Sequence, residues 1–254
     1  MQIARAETNL RACAGVLAFL AALTAGFALV FAVWPDLDLV VARLFHDPAT
    51  GFVLANNPFW DSVLLANKAA SLIFVVAVLV TLVFSFVRRR KRGVDAARYC
   101  WFVILMYLLG PGLLVNGVAK RMFGRARPFQ TALFGGDGPF TGPWQVSDYC
   151  HSACSFVSAE AAAATALTVG LVVGGLWFAG QVVGRLFRVM VPVSVVLLLL
   201  TSVQRIGSGR HFLSDVIFAV LPMAGLGVLL ACLLWPRAAK SSATRLQGQT
   251  DDLV

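Results

Sequence analysis

Apolar residues in this chain come in long unbroken blocks, unlike the one-face stripes of a soluble helix, and polar residues are confined to the gaps between them. A hydrocarbon core about 30 Å thick takes about 20 apolar residues per helical crossing. Blocks near that length recur six times, at residues 12–34, 61–87, 99–118, 155–180, 189–204 and 214–235. The pattern predicts an all-α, polytopic membrane protein with six transmembrane helices. One domain spans residues 1–235, and a polar tail at 236–254 is expected to be disordered.

The gaps and irregularities refine that outline. The first block follows Arg5 and Arg11 and is too long for the apolar core of a cleaved signal peptide, so it reads as a retained signal-anchor. Between the first two blocks, DPATG at 47–51 has turn chemistry, and LVVARLF at 39–45 is a short amphipathic segment expected to lie along the membrane surface. In the third block, Gly110, Pro111 and Gly112 predict a kink, because proline removes one backbone donor. The fourth opens with SAEAAAATA, small residues that let a neighbouring helix approach closely.

Composition agrees: 59% of the residues are hydrophobic and 13% are charged. The net charge of +9 and pI near 10.0 do not indicate a nucleic-acid partner, because the cations lie between membrane blocks and not on a soluble basic face. They report orientation instead. Of the 21 Lys and Arg residues, 13 fall on one side, at Arg5, Arg11, the cluster from Arg88 to Arg98, Arg185, Arg188 and the tail. That side is cytoplasmic by the enrichment of cations in inner loops, and both termini lie there. The other eight are Arg43, Lys68, Lys120, Arg121, Arg125, Arg127, Arg205 and Arg210. Six of these crowd into two short segments on the translocated side, which an anionic ligand explains better than insertion does. Arg43 and Lys68 are assigned to snorkelling towards lipid phosphates.

Of five cysteines, Cys13, Cys100 and Cys232 sit in or beside apolar blocks and read as inert small hydrophobes. Cys150 and Cys154 share a polar outer loop, where a disulfide suits an oxidising compartment. A zinc site using both thiols and His151 is the rival, and it lacks the usual paired spacing.

Three outer segments carry candidate chemistry. KRMFGRARP at 120–128 offers Lys120 as a point charge and Arg127 as a fork of donors, a combination that suits phosphate, although basic residues beside a membrane span are ordinary. CSFVSAE at 154–160 opens the fourth block, where Ser158 and the free N–H groups of a helix start, Ala159 included, can face an anion; Ser158 as a simple N-cap is equally compatible. RIGSGRHFLSD at 205–215 sets His211 and Asp215 four residues apart on one helix face, with Arg205 upstream, giving a nucleophile and an orienting carboxylate.

Together these segments resemble the type 2 phosphatidic acid phosphatase family, which also includes vanadium haloperoxidases. The family pattern is Lys, six residues, Arg-Pro; then Pro-Ser-Gly-His; then Arg, five residues, His, three residues, Asp. Lys120, Arg127 and Pro128 meet the first element, and Arg205, His211 and Asp215 the third. The resemblance implies a six-helix bundle with its site at the membrane surface. It also implies attack of His211 on phosphorus to give a phosphohistidine, Asp215 holding the other ring nitrogen, and a phosphoryl cradle of Lys120, Arg127, Arg205, Ser158 and Ala159. It implies no metal and no cofactor. In the second element Val157, Ser158, Ala159 and Glu160 replace Pro-Ser-Gly-His, so Glu160 stands where the family has its acid–base histidine; His151 is the other candidate acid.

The wording GRARP and HFLSD, the glutamate and the long loop before it are similar to bacterial lipid A phosphatases. That likeness implies an inner-membrane protein with a periplasmic site acting on lipid A. Undecaprenyl pyrophosphate and phosphatidylglycerophosphate are alternative substrates. A lipid phosphotransferase and a non-catalytic lipid-binding relative are alternative functions. No nucleic acid and no obligate protein partner is inferred.

Overall fold

A computed structural model describes residues 2–87, 93–152 and 154–234. The run from Arg88 to Arg92 and the tail at 236–254, both assigned to the cytoplasm by the charge count, lie outside the described residues. Six helices are long and apolar enough to cross a membrane, and they fall on the six predicted blocks. They are α1 (Gln2–Val33), α3 (Pro58–Val87), α4 (Gly93–Tyr107) with its continuation, α6 (Ala159–Trp177), α7 (Val182–Gly207) and α8 (Leu213–Leu234). Two short helices, α2 (Leu37–Arg43) and α5 (Lys120–Met122), lie between them.

Helix α6 is the centre of the bundle. In its membrane span 67% of the window is buried inside protein, against 6% for α1. Its alanines explain this: Ala161, Ala162, Ala164 and Ala166 are all buried, so neighbouring backbones come close, as the small-residue stretch predicted. Towards the other end, Tyr99 of α4 donates from its hydroxyl to the Gly170 carbonyl of α6 at 2.8 Å, a satisfied polar contact inside an aromatic cluster of Tyr99, Phe178 and Phe187.

The Gly-Pro-Gly sequence does not interrupt the third span. From Leu108 to Ala119 the chain runs as a π-helix that contains Pro111 and leads directly into α5. A wider turn accommodates the donor that proline lacks, and Asn116 Nδ2 donates to the Pro111 carbonyl at 2.7 Å. It also resets the face on which Lys120 emerges. Gly110 lies against α8, where a Cβ would fall 2.3 Å from the Met223 sulfur.

Two expectations change. Residues 36–57 do not lie only on lipid: α2 turns one face into the protein, while Val40 and Leu44 stay exposed. Asp38, Leu39 and Ala42 of α2 are buried, and the turn at DPATG closes a small antiparallel hairpin, His46–Asp47 with Gly51–Phe52, in which the Asp47 side chain accepts from Ala49 N and Thr50 N. Phe52, Phe134 and Phe212 pack with Leu39 and Ala42 in a second apolar cluster over the outer end of the bundle. Nor are Cys13 and Cys232 inert: they form a disulfide joining α1 to α8. Their separation of 219 residues hid the pair from any reading of spacing. Cys100 is a buried free thiol, and Cys150 is bonded to Cys154.

The connection from α6 to α7 is tight enough to test. A Cβ on Gly184 would fall 2.1 Å from the Phe178 carbonyl oxygen, which is backbone and cannot rotate away. Gly184→Ala is expected to cost about 1–3 kcal/mol by overpacking and to lower the melting midpoint in detergent. Gly225→Ala, whose Cβ would meet nothing within 4 Å, is the matched control and should leave the midpoint unchanged or raise it.

Candidate active site

The three predicted segments converge at one end of the bundle, where α5 ends, α6 begins, α7 ends and α8 begins. A cavity of about 510 Å³ opens there between α3, α6, α7 and the hairpin, lined on its polar side by Lys68, Arg127, Glu160, Gln204, Arg205 and Arg210. Lys120 is not part of that lining; it stands half-buried behind it, near enough for its charge to interact with those of Glu160, Arg127 and Arg205. Burial and the neighbouring Arg210 both push the Arg127 guanidinium below its ordinary value, the mark of crowded positive charge awaiting an anion. Lys68, assigned above to lipid snorkelling, instead faces this cavity.

His211 is fully buried and not itself part of the lining; it stands behind Glu160. Its Nδ1 lies 2.7 Å from the Ser155 carbonyl oxygen. A carbonyl can only accept, so Nδ1 carries a proton, and when the ring is neutral the lone pair is on Nε2. Nε2 has no hydrogen-bond partner and stands 3.7 Å from Glu160 Oε2. The other carboxylate oxygen of Glu160 is 3.5 Å from Arg205 Nη2, which supplies the neutralising cation that a glutamate in a phosphate site needs.

Asp215 differs from its expected role. It is 3.6 Å from His211 Nδ1, too far for a hydrogen bond. Its oxygens are taken by stronger or closer donors: Arg125 Nη1 at 2.6 Å, the Ser155 hydroxyl at 2.5 Å and Phe212 N at 2.8 Å. Asp215 therefore reaches the imidazole through Ser155, whose hydroxyl it holds and whose carbonyl holds the ring.

Ser158 takes the simpler of its two readings. It is the N-cap of α6, fully buried, accepting from Ala161 N, and its own N–H donates to the Asp215 carbonyl at 3.1 Å. That N–H is committed to holding α6 against α8, while Ala159 opens the helix beside it. His151 is exposed on the loop and outside the cavity lining.

Sequence reasoning missed Asp38, Arg125, Ser155 and Ser214. Arg125 is fully buried and uses all three guanidinium nitrogens: Nε donates to Thr141 O at 2.8 Å, Nη1 to Ser214 Oγ at 2.9 Å as well as to Asp215, and Nη2 to Asp38 Oδ2 at 2.8 Å. Asp38 in turn accepts from Ser214 N at 2.8 Å and Ser214 Oγ at 2.5 Å, closing the start of α8. Counting arginines in GRARP could flag the segment, but no spacing rule says which one turns inward.

Comparison with known proteins agrees with this arrangement. The sequence profile of the PAP2 superfamily matches residues 98–240, which contain all three motif segments. The chain is 32% identical over 201 residues to a lipid A 4'-phosphatase of Rhizobium etli, covering 74% of this chain and 75% of that protein. It is 31% identical to a lipid A 4'-phosphatase of Rhizobium leguminosarum, covering 76% and 84%, and 27% identical to one of Francisella tularensis subsp. novicida, covering 74% and 82%. Among solved structures, a transmembrane PAP2-type phosphatidylglycerolphosphate phosphatase from Bacillus subtilis has the same fold, with a TM-score of 0.52 at 15% identity, covering 87% of this chain and 94% of that one. By its motifs, its helical bundle and these relatives, this chain belongs to the PAP2 superfamily.

Proposed function

We propose that this membrane lipid phosphatase removes a phosphate from lipid A through a phosphohistidine at His211. The observation that carries the reading is the imidazole itself, with Nδ1–H fixed on the Ser155 carbonyl and Nε2 without a hydrogen-bond partner, 3.7 Å from Glu160, which lines the cationic cavity. The support for lipid A is that three relatives matched over most of their length are lipid A 4'-phosphatases.

In the first step the Nε2 lone pair forms a bond to phosphorus while the bond from phosphorus to the ester oxygen breaks. The phosphoryl group enters the gap that Glu160 spans, so the glutamate moves off Nε2 towards the departing oxygen. There it donates, as general acid, the proton it takes up from solvent once the substrate has displaced it from Arg205. Charge on the phosphoryl oxygens is met by Arg127, Arg205 and Lys120, held beforehand in a water-poor site where such donors act most strongly. The imidazolium that forms keeps its Nδ1 proton on Ser155, with Asp215 behind it. In the second step water attacks phosphorus and gives its proton to Glu160. The P–N bond breaks, and phosphate leaves with His211 neutral again. Glu160 then returns that proton to solvent and re-forms its pair with Arg205.

The site faces the side opposite the cation-rich loops, which in a bacterial inner membrane is the periplasm, with both termini cytoplasmic. Lipid tails remain in the bilayer while the headgroup reaches the cavity.

Purified protein in detergent with chelator should release phosphate from lipid A faster than from undecaprenyl pyrophosphate or phosphatidylglycerophosphate, and His211→Ala should abolish release while melting at the wild-type temperature. Acid-labile label on His211 after mixing with labelled substrate is the second expected result. Full activity of the alanine variant would overturn the mechanism; transfer of label to an added acceptor lipid in place of water would make the protein a phosphotransferase. The rim cations give an independent check. Lys68→Ala and Arg210→Ala line the cavity away from the reacting nitrogen, and each should raise KM about tenfold, the worth of one charge-assisted contact, with kcat within about twofold.

A further inference from the structure

His211 is faced by charged groups on several elements: Glu160 on α6, Arg205 on α7 and Asp215 on α8, with Lys120 and Arg127 across the cavity. Each either lines or directly adjoins the space the phosphate takes. Arg125 and Asp38 do neither. They are fully buried behind Asp215 and joined to each other. A buried ion pair that only filled space would be replaceable by apolar residues at little cost, yet this one is linked through Asp215 and Ser155 to His211. Arg125 Nη1 holds Asp215 Oδ1 at 2.6 Å, and Asp215 Oδ2 takes the Ser155 hydroxyl at 2.5 Å. Ser155 then offers its carbonyl to His211.

We propose that Arg125 and Asp38 are positioning residues for His211: Arg125 draws the Asp215 carboxylate off the imidazole, and Asp38 sets how strongly it does so. The inference rests on the reading of His211 as the nucleophile. Its physical content is a balance of charge. An aspartate in full contact with Nδ1 stabilises the protonated ring, and a protonated ring has no lone pair for phosphorus. An aspartate shared with a guanidinium leaves the ring neutral in the free enzyme, yet close enough, at 3.6 Å, to stabilise the positive charge once the N–P bond forms. Asp38 competes for the same guanidinium through Nη2. Burial and the nearby Asp215 charge push the Asp38 carboxyl up, and Arg125 and Ser214 oppose that rise; its two oxygens accept from Arg125 Nη2, Ser214 N and Ser214 Oγ.

The two residues therefore act with opposite sign. Removing the Asp38 charge leaves Arg125 wholly to Asp215, so the field at His211 becomes more positive and the ring loses its proton more readily. Removing the Arg125 charge as well frees Asp215 to stabilise the protonated ring. Glu160, Arg205, Lys120 and Arg127 are unchanged in both variants, so their influence cancels in the comparison.

The test is the acid limb of kcat/KM for phosphate release from the full chain in detergent, in Asp38→Asn and in the double variant Arg125→Met/Asp38→Asn, which removes both charges of the pair and leaves Asp215 to the Ser155 hydroxyl and Phe212 N. Asp38→Asn should move the limb to lower pH, and the double variant to higher pH, each by about half a unit, with KM within about twofold because neither residue touches the cavity. Melting midpoints measured alongside record any loss of stability. Shifts of opposite sign would support the proposal. A lowered midpoint with both acid limbs at the wild-type position, or both limbs moved the same way, would overturn it and leave the pair as purely structural. His211→Ala that still turns over would overturn the nucleophile reading itself, and that outcome is separable because it is scored on a different variant.

Discussion

The outer end of this bundle depends on one buried cation. A guanidinium removed from water costs several kcal/mol unless every donor is met and the opposite charge lies close. Arg125 comes close to that condition: four of its five donors reach Thr141, Ser214, Asp215 and Asp38, two of them carboxylates, and its Cζ lies 4.3 Å from the centre of the Phe212 ring. These partners come from α2, from the loop before α6 and from α8. Ser155, bound to the same Asp215, adds the approach to α6. None of these segments can shift without leaving a buried charge or hydroxyl unpaired. The rigidity His211 needs comes from that mutual dependence, since the loop that carries it, between Gly207 and Leu213, has little regular structure of its own.

The membrane architecture was legible because it depends on runs of residues. Six apolar blocks became six helices, and the alanines of α6 became the centre. The reacting groups were legible for a different reason: Arg205, His211 and Asp215 are close in sequence, and their spacing fixes their faces. What could not be read was anything depending on a distant partner. Asp38 lies 87 residues from Arg125, in a segment whose alternation of apolar and polar residues equally describes a helix lying on lipid. Its carboxylate looks solvent-facing until the partner is known. Lys68 failed for the same reason, since a lysine near a span end snorkels unless a cavity stands beside it. The π-helix hid too, because Gly-Pro-Gly reports a lost donor without saying how the backbone adjusts.

Expected roles shifted where a backbone atom replaced a side chain. The sequence contains the carboxylate that the family pattern pairs with its histidine, but a carbonyl is present at every residue and carries no letter. Ser155 serves here through both its carbonyl and its hydroxyl, and only the hydroxyl is visible in a sequence. Likewise Ser158 had two compatible uses, and the choice was made by its N–H, which the Asp215 carbonyl occupies.

Glu160 is the residue on which the charge balance of the cavity turns. Four cations line the space, Lys68, Arg127, Arg205 and Arg210, and a phosphate monoester brings about two negative charges. An empty cavity holding that much positive charge and no anion would be strained by self-repulsion. Glu160, 3.5 Å from Arg205, and Asp61, also in the lining, supply internal anions that relieve it. In the mechanism proposed above, substrate competes with the Glu160 carboxylate for Arg205 and displaces it from Nε2, which moves the glutamate towards the oxygen that will depart. A carboxylate pushed from its cation beside a phosphoryl group gains a proton more readily, and a proton is what the leaving oxygen requires. A histidine at this position would bring its proton already bound; the glutamate acquires one because the phosphate has arrived. Binding of the anion and arming of the acid are thus the same electrostatic event.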